Sequence, residues 1–288
     1  QAEDGIRDLV RSRGLGDVYK RQASGILIGF VSGLLGIGGG IIMTPVQYWI
    51  YTSAGIESDL AIKIAIATSL AVILPTSASG VWQHRKKVPI NWKIAAIMGT
   101  VAAAGSYIGS TIAVLIPGNI LKIIFGIVVM LIAVRMLTMK ISDEQQPLRE
   151  NLWLWIGIAI PIGMLTGILG IGGGAVVIPC LILILHFRMI NAVGTSLAMM
   201  LFTSAGGIIG YIVNGMSLTG MPAHSSGYIF WPAWLALIIT CIPMAQVGAV
   251  MAHKTKGKLL TFIFVALMLY IGLDMLGVID LIAGVFPL

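Results

Sequence analysis

Apolar residues run in long blocks along this chain, broken by short polar stretches and by clusters of glycine. The blocks fall at about 23–51, 61–83, 92–116 and 120–139, then at about 152–187, 191–213, 230–252 and 259–281. Most match the roughly 20 residues that carry an α-helix across a hydrocarbon core. The pattern predicts an all-α polytopic membrane protein.

Two blocks are too long for one crossing. As a single helix, 152–187 would run to roughly 54 Å, against a core of about 30 Å. It contains Pro161, Gly172 to Gly174 and Pro179. A break is expected there, as a re-entrant hairpin or two short helices meeting at a glycine loop, and 23–51 is expected to behave alike.

The order of blocks repeats. Gly33-Leu-Leu-Gly-Ile-Gly-Gly-Gly40 returns as Gly167-Ile-Leu-Gly-Ile-Gly-Gly-Gly174, with Pro45 and Pro179 following at the same distance. Ala67-Thr-Ser-Leu-Ala71 returns as Gly194-Thr-Ser-Leu-Ala198, and Thr76-Ser-Ala-Ser79 as Thr203-Ser-Ala-Gly206. Later, Gly109, Ala113, Leu121 and Phe125 align with Gly248, Ala252, Leu260 and Phe264. Blocks recurring in one order are the mark of duplication. The expected organisation is a polar tail at 1–22, a first membrane repeat at 23–139, a polar linker at 140–151 and a second repeat at 152–288. Each repeat holds one glycine-broken segment and three spanning helices. Within the tail, Arg11 to Gln22 resembles translated sequencing-adapter sequence, so residues 1–22 are read as non-native.

Composition agrees with the pattern. Hydrophobic residues make up 58% of 288 and charged residues 10%, against about 25% charged in soluble domains. Mean hydropathy is +0.99. The net charge of +7 sits at span ends, where it sets topology rather than binding nucleic acid. If each glycine segment returns to the side it entered from, then Arg85, Lys86, Lys87, Lys93, Arg135, Lys140, Arg149, Arg188, Lys254, Lys256 and Lys258 share one side. Lys63 and Lys122 take the other. The halves are then inverted repeats. Tryptophans cluster near span ends as an aromatic belt would.

Inverted repeats with broken helices place substrate where the breaks meet. A helix beginning in mid-membrane offers unpaired N–H groups and a partial positive charge, and glycine lets an oxyanion come close. Candidate binding residues are therefore Gly36, Gly38, Gly39 and Gly40 with Gly170, Gly172, Gly173 and Gly174. The hydroxyls of Thr68, Ser69, Thr195 and Ser196 join them, with Thr76, Ser77, Thr203 and Ser204 nearby. The alternative reading is structural: small residues at four-residue spacing pack helices, and Ser or Thr bonds its own backbone. Asp274, an acid inside the last block, is the candidate for ion coupling. Cys180 and Cys241 read as small core residues, and His84, His186 and His253 as interfacial ones. No metal motif, nucleophile elbow or phosphate loop appears, so neither a cofactor nor catalysis is expected.

The paired Gly-Ile-Gly-Gly-Gly…Pro pattern, with the Thr-Ser-Leu-Ala blocks and the Gly109/Gly248 and Phe125/Phe264 positions, resembles the TauE/SafE family of membrane permeases, the sulfite exporter family. The resemblance covers everything after Gln22. It implies export of sulfite, an organosulfonate or another sulfur-containing anion, with binding at Gly36–Gly40 and Gly170–Gly174. Expected partners are a small anionic substrate, the lipid bilayer (the bacterial inner membrane) and a second copy in a homodimer. An anion channel, a permease for a non-sulfur carboxylate and a membrane-embedded enzyme or sensor are the alternatives.

Overall fold

The computed structural model describes residues 25–31, 39–85, 90–138, 151–187, 189–218, 221–252 and 257–278. The expected tail at 1–22 and most of the linker at 140–151 lie outside them. The described chain is helical apart from one two-stranded hairpin. In order, the helices are α1 (residues 25–31), α2 (Gly40–Ser53), α3 (Ser58–His84), α4 (Trp92–Leu115), α5 (Gly118–Thr138), α6 (Leu152–Leu169), α7 (Gly174–Leu183) and α8 (Met189–Gly215). The hairpin β1 (Ser225–Ser226) and β2 (Ile229–Phe230) then leads into α9 (Trp231–Ala252) and α10 (Gly257–Met275). Among the described residues, six helices (α3, α4, α5, α6, α8 and α9) are long and apolar enough to cross a membrane. The chain is a multi-pass membrane protein.

The expected break is present. Helix α6 ends at Leu169, Gly170 turns with φ 68°, and α7 starts afresh at Gly174. Three positive-φ glycines, Gly170, Gly172 and Gly173, make a turn that residues with a Cβ would enter only with strain. Helix α2 starts the same way, at Gly40 behind a left-handed Gly39 with φ 69°.

Buriedness sorts the helices. In α3, 83% of the apolar window is buried inside the protein, against 33% in α5 and α9. Helix α3 is the central post, and the outer helices offer their apolar sides to lipid. Leu197 of α8 packs on Gly80 of α3, while Leu70 of α3 packs on Gly207 of α8. The two helices therefore run antiparallel, and the aligned Leu70/Leu197 and Gly80/Gly207 pairs exchange places across the contact.

Small residues decide the other close crossings. A methyl group on Gly163 would lie 2.1 Å from the Ala102 carbonyl oxygen, and one on Gly167 would lie 2.1 Å from that of Ser106. Helices α4 and α6 thus meet backbone to backbone, as small-residue motifs permit in lipid. In the first half, a methyl group on Gly29 of α1 would lie 2.6 Å from the Cys241 carbonyl oxygen of α9.

Charge marks the bundle's ends. Lys63 pairs with Asp59 at 2.8 Å, and Asp59 also accepts the Gly118 N–H at the start of α5. Lys122, one turn into α5, donates to the Tyr48 hydroxyl at 3.0 Å. Lys63 and Lys122 thus lie at one end. Arg85 stacks over Trp82 at the other end of α3. Tyr228, in the hairpin, has its phenol pushed up by burial and by the Asp59 carboxylate.

Candidate functional site

The helix starts at Gly40 and Gly174 define the site. Neither receives a side-chain cap. In each, the first helical bonds go to the preceding glycine: Ile42 and Met43 donate to the Gly39 carbonyl, and Val176 and Val177 donate to that of Gly173. The amides of Gly40, Ile41, Gly174 and Ala175 donate to no described group, although all four residues are buried. Unsatisfied N–H groups at a buried helix start carry a cost that a ligand or water relieves. They also concentrate positive potential.

These two regions touch. A methyl group on Gly40 would lie 2.5 Å from the Gly170 carbonyl oxygen and 2.7 Å from Ile171 Cα. Only glycine lets α2 begin against the second loop. That loop runs along α3, with Gly170 against Ile66 and Gly172 against Ile73. Thr203 of α8 steadies it by donating to the Gly172 carbonyl at 3.3 Å. Gly173 faces the Thr166 hydroxyl, and Tyr211 donates to the Gly167 carbonyl at 2.9 Å. Gly36 and Gly38 lie outside the described residues.

The four hydroxyls divide by role. Thr68 Oγ1 accepts the Phe230 N–H at 3.2 Å, and the aligned Thr195 Oγ1 accepts the Asn91 N–H at 3.4 Å. Each threonine takes up a backbone donor at the entry to a spanning helix of the other half, Thr68 of α3 at α9 and Thr195 of α8 at α4. Ser69 lies on the α3 face that carries Ile66 and Ile73, because positions three and four apart share a helical face. Its Oγ accepts from Gln47 Nε2 at 2.9 Å and from Thr44 Oγ1 at 3.1 Å. Ser196, aligned with Ser69, is buried, and its Oγ has no partner among the described residues. Thr76, Ser77 and Ser204 bond carbonyls of their own helices.

Sequence reading passed over Thr44, Gln47 and Tyr51. All three are buried, and Tyr51 donates to Gln47 Oε1 at 2.9 Å. A signal was available: aligning Gly40 with Gly174 sets these polar residues opposite Ile178, Leu181 and Leu185. Asp274 lies away from the loops, where its carboxylate accepts from Trp49 Nε1 at 2.9 Å and ties α10 to the far end of α2. Among the described residues no group of His, Cys, Asp or Glu is placed to hold a metal ion.

Comparison with known proteins places this architecture. A probable membrane transporter protein of Methanocaldococcus jannaschii is 30% identical over 88% of this chain and 92% of its own length. One from Bacillus subtilis is 28% identical over 88% of this chain and 94% of its own. One from Haemophilus influenzae is 30% identical, over 86% and 96%. No solved structure matches the chain. The family model described as sulfite exporter TauE/SafE matches residues 22–275, a stretch that takes in both glycine loops and every described helix, and the chain belongs to that family of membrane transporters.

Proposed function

We propose that the protein is a secondary transporter that exports a small sulfur-containing oxyanion, such as sulfite or an organosulfonate. It binds the anion between the two glycine loops. The observation that carries this reading is a pair of buried, uncapped helix starts, one of which, at Gly40, is seated on the Gly170–Ile171 backbone of the loop that leads into the other. Four inward amides and two helix dipoles attract an anion without any formal charge, so the site can also release it. The family description adds the sulfur chemistry.

The halves act as inverted repeats. The antiparallel contact of α3 and α8, with its exchanged Leu–Gly pairs, supports this, because a two-fold axis in the membrane plane relates antiparallel counterparts. Such pairs rock about a fixed central site during alternating access.

Liposomes loaded with labelled sulfite or ethanesulfonate test the reading. Saturable efflux, accelerated by the same unlabelled anion outside, is the expected result. Steady single-channel currents would make the protein an anion channel instead. Flux of acetate without any sulfur anion would move the substrate to carboxylates.

A further inference from the structure

A glutamine amide inside an apolar bundle has two N–H donors and a carbonyl to satisfy. Gln47, 2% exposed, uses its carbonyl on the Tyr51 hydroxyl and one N–H on Ser69 Oγ. Ser69 Oγ also accepts from Thr44, which fills both of its lone pairs. What remains is the second Gln47 N–H and the Ser69 O–H, and neither donates to any described group. Both spare donors are uncharged and buried, and the lone pairs left beside them, on Thr44 Oγ1 and the Gln47 carbonyl, belong to neutral oxygens. Ser69 sits between Ile66 and Ile73, the residues that Gly170 and Gly172 cover. The spare donors therefore lie beside the second glycine loop, on the α2 side. Among the described residues a cation would meet only neutral oxygens there and no carboxylate, whereas an oxyanion finds two more donors.

The equivalent place in the second half is built differently. Thr44, Gln47 and Tyr51 align with Ile178, Leu181 and Leu185, all buried, and Leu181 belongs to an apolar cluster with Ile73 and Val177. The Thr166 and Thr203 hydroxyls near that loop are spent on backbone carbonyls, and the Ser196 hydroxyl has no partner among the described residues. A bare inorganic oxyanion, polar on every face, would leave a lone pair against leucine and isoleucine, at a desolvation cost.

We propose that Gln47, acting with Ser69, is the specificity-determining element of the site. It holds the oxyanion head at the first-half end, while Ile178 and Leu181 receive a carbon substituent. The preferred ligand class is thus an organic oxyanion with a short apolar tail, of the sulfonate type, ahead of bare sulfite. This rests on the binding region proposed above and goes further by giving the site a direction.

Calorimetric titration of the purified full chain with ethanesulfonate and with sulfite tests it. The wild type should bind ethanesulfonate more tightly than sulfite. Gln47→Leu should weaken ethanesulfonate binding by about tenfold to a hundredfold, the worth of a buried hydrogen bond to a charged group. The isosteric Gln47→Glu keeps an acceptor for Tyr51 but sets an acid where the amide donated, and should lose the same binding while the protein stays monodisperse without ligand. Leu181→Gln should raise sulfite affinity relative to ethanesulfonate, a change of ratio that general loosening of the fold would not cause. Unchanged ethanesulfonate affinity in both Gln47 variants, or tighter sulfite binding in the wild type, would overturn the inference and leave the proposed site standing. Binding of neither anion by the wild type would overturn both.

Discussion

The two halves share a scaffold and differ in what they place on it. Both short helices begin at an uncapped glycine, and both carry proline at the same position, Pro45 and Pro179. Both following helices use a threonine to hold a distant backbone N–H. From that shared base, α2 turns inward a threonine, a glutamine and a tyrosine, where the second half has Ile178 and Leu181 in α7 and Leu185 just beyond its end. Shared positions are those the backbone requires. Positions that diverged are free to read the ligand, and they are where chemistry should be sought.

The comparison breaks hardest at the glycines. Gly163→Leu or Gly167→Leu should leave no monodisperse protein on size exclusion, because each side chain would start within a backbone carbonyl of α4. Overpacking of this kind costs about 1–3 kcal/mol where neighbours can yield, and backbone yields least. Gly157, with nothing near its added methyl, should accept alanine without loss and serves as the control.

Ser69 and Ser196 give the sharpest contrast between halves. Ser69→Ala strands the Gln47 amide and Thr44 hydroxyl and should cost about 1–3 kcal/mol in ligand-free thermal unfolding. Ser196→Ala removes a hydroxyl that has no partner among the described residues and should be neutral or slightly stabilising. Equal losses would contradict the asymmetry.

Thr68 and Thr195 should behave alike, since both perform one structural task. Thr68→Val and Thr195→Val each strand one backbone N–H and should each cost about 1 kcal/mol or somewhat more. The smallest effect expected is at Asp274. Asp274→Leu removes the Trp49 bond and should cost about 1 kcal/mol, while Asp274→Asn keeps an acceptor and should melt near wild type. Loss of pH-dependent transport in Asp274→Asn would add ion coupling to that structural tie.

The membrane class and the break at Gly170–Gly174 were legible in the sequence because each depends on local features: apolar run length, and glycines too many for one helix. The site's side chains were legible only in part. Thr68 looks like a lining hydroxyl, yet its partner is Phe230, far along the chain, and no local pattern encodes that contact. Gln47 hides because one amide hardly changes the hydropathy of α2. The short hairpin before α9 and the bond from the Gly118 N–H to Asp59 arise from the same long-range packing, whereas the Asp59–Lys63 pair is local to α3.

The most direct test of the central claim is thermal unfolding of the purified protein against sulfite, sulfate, thiosulfate, ethanesulfonate, sulfoacetate, taurine and acetate. A ligand present at about 100 times its dissociation constant adds roughly 2.7 kcal/mol. The account predicts stabilisation by sulfur oxyanions, greatest for ethanesulfonate and reduced in Gln47→Glu. Stabilisation by none of them, in protein that remains folded and monodisperse, would contradict an anion site at the meeting of the two glycine loops.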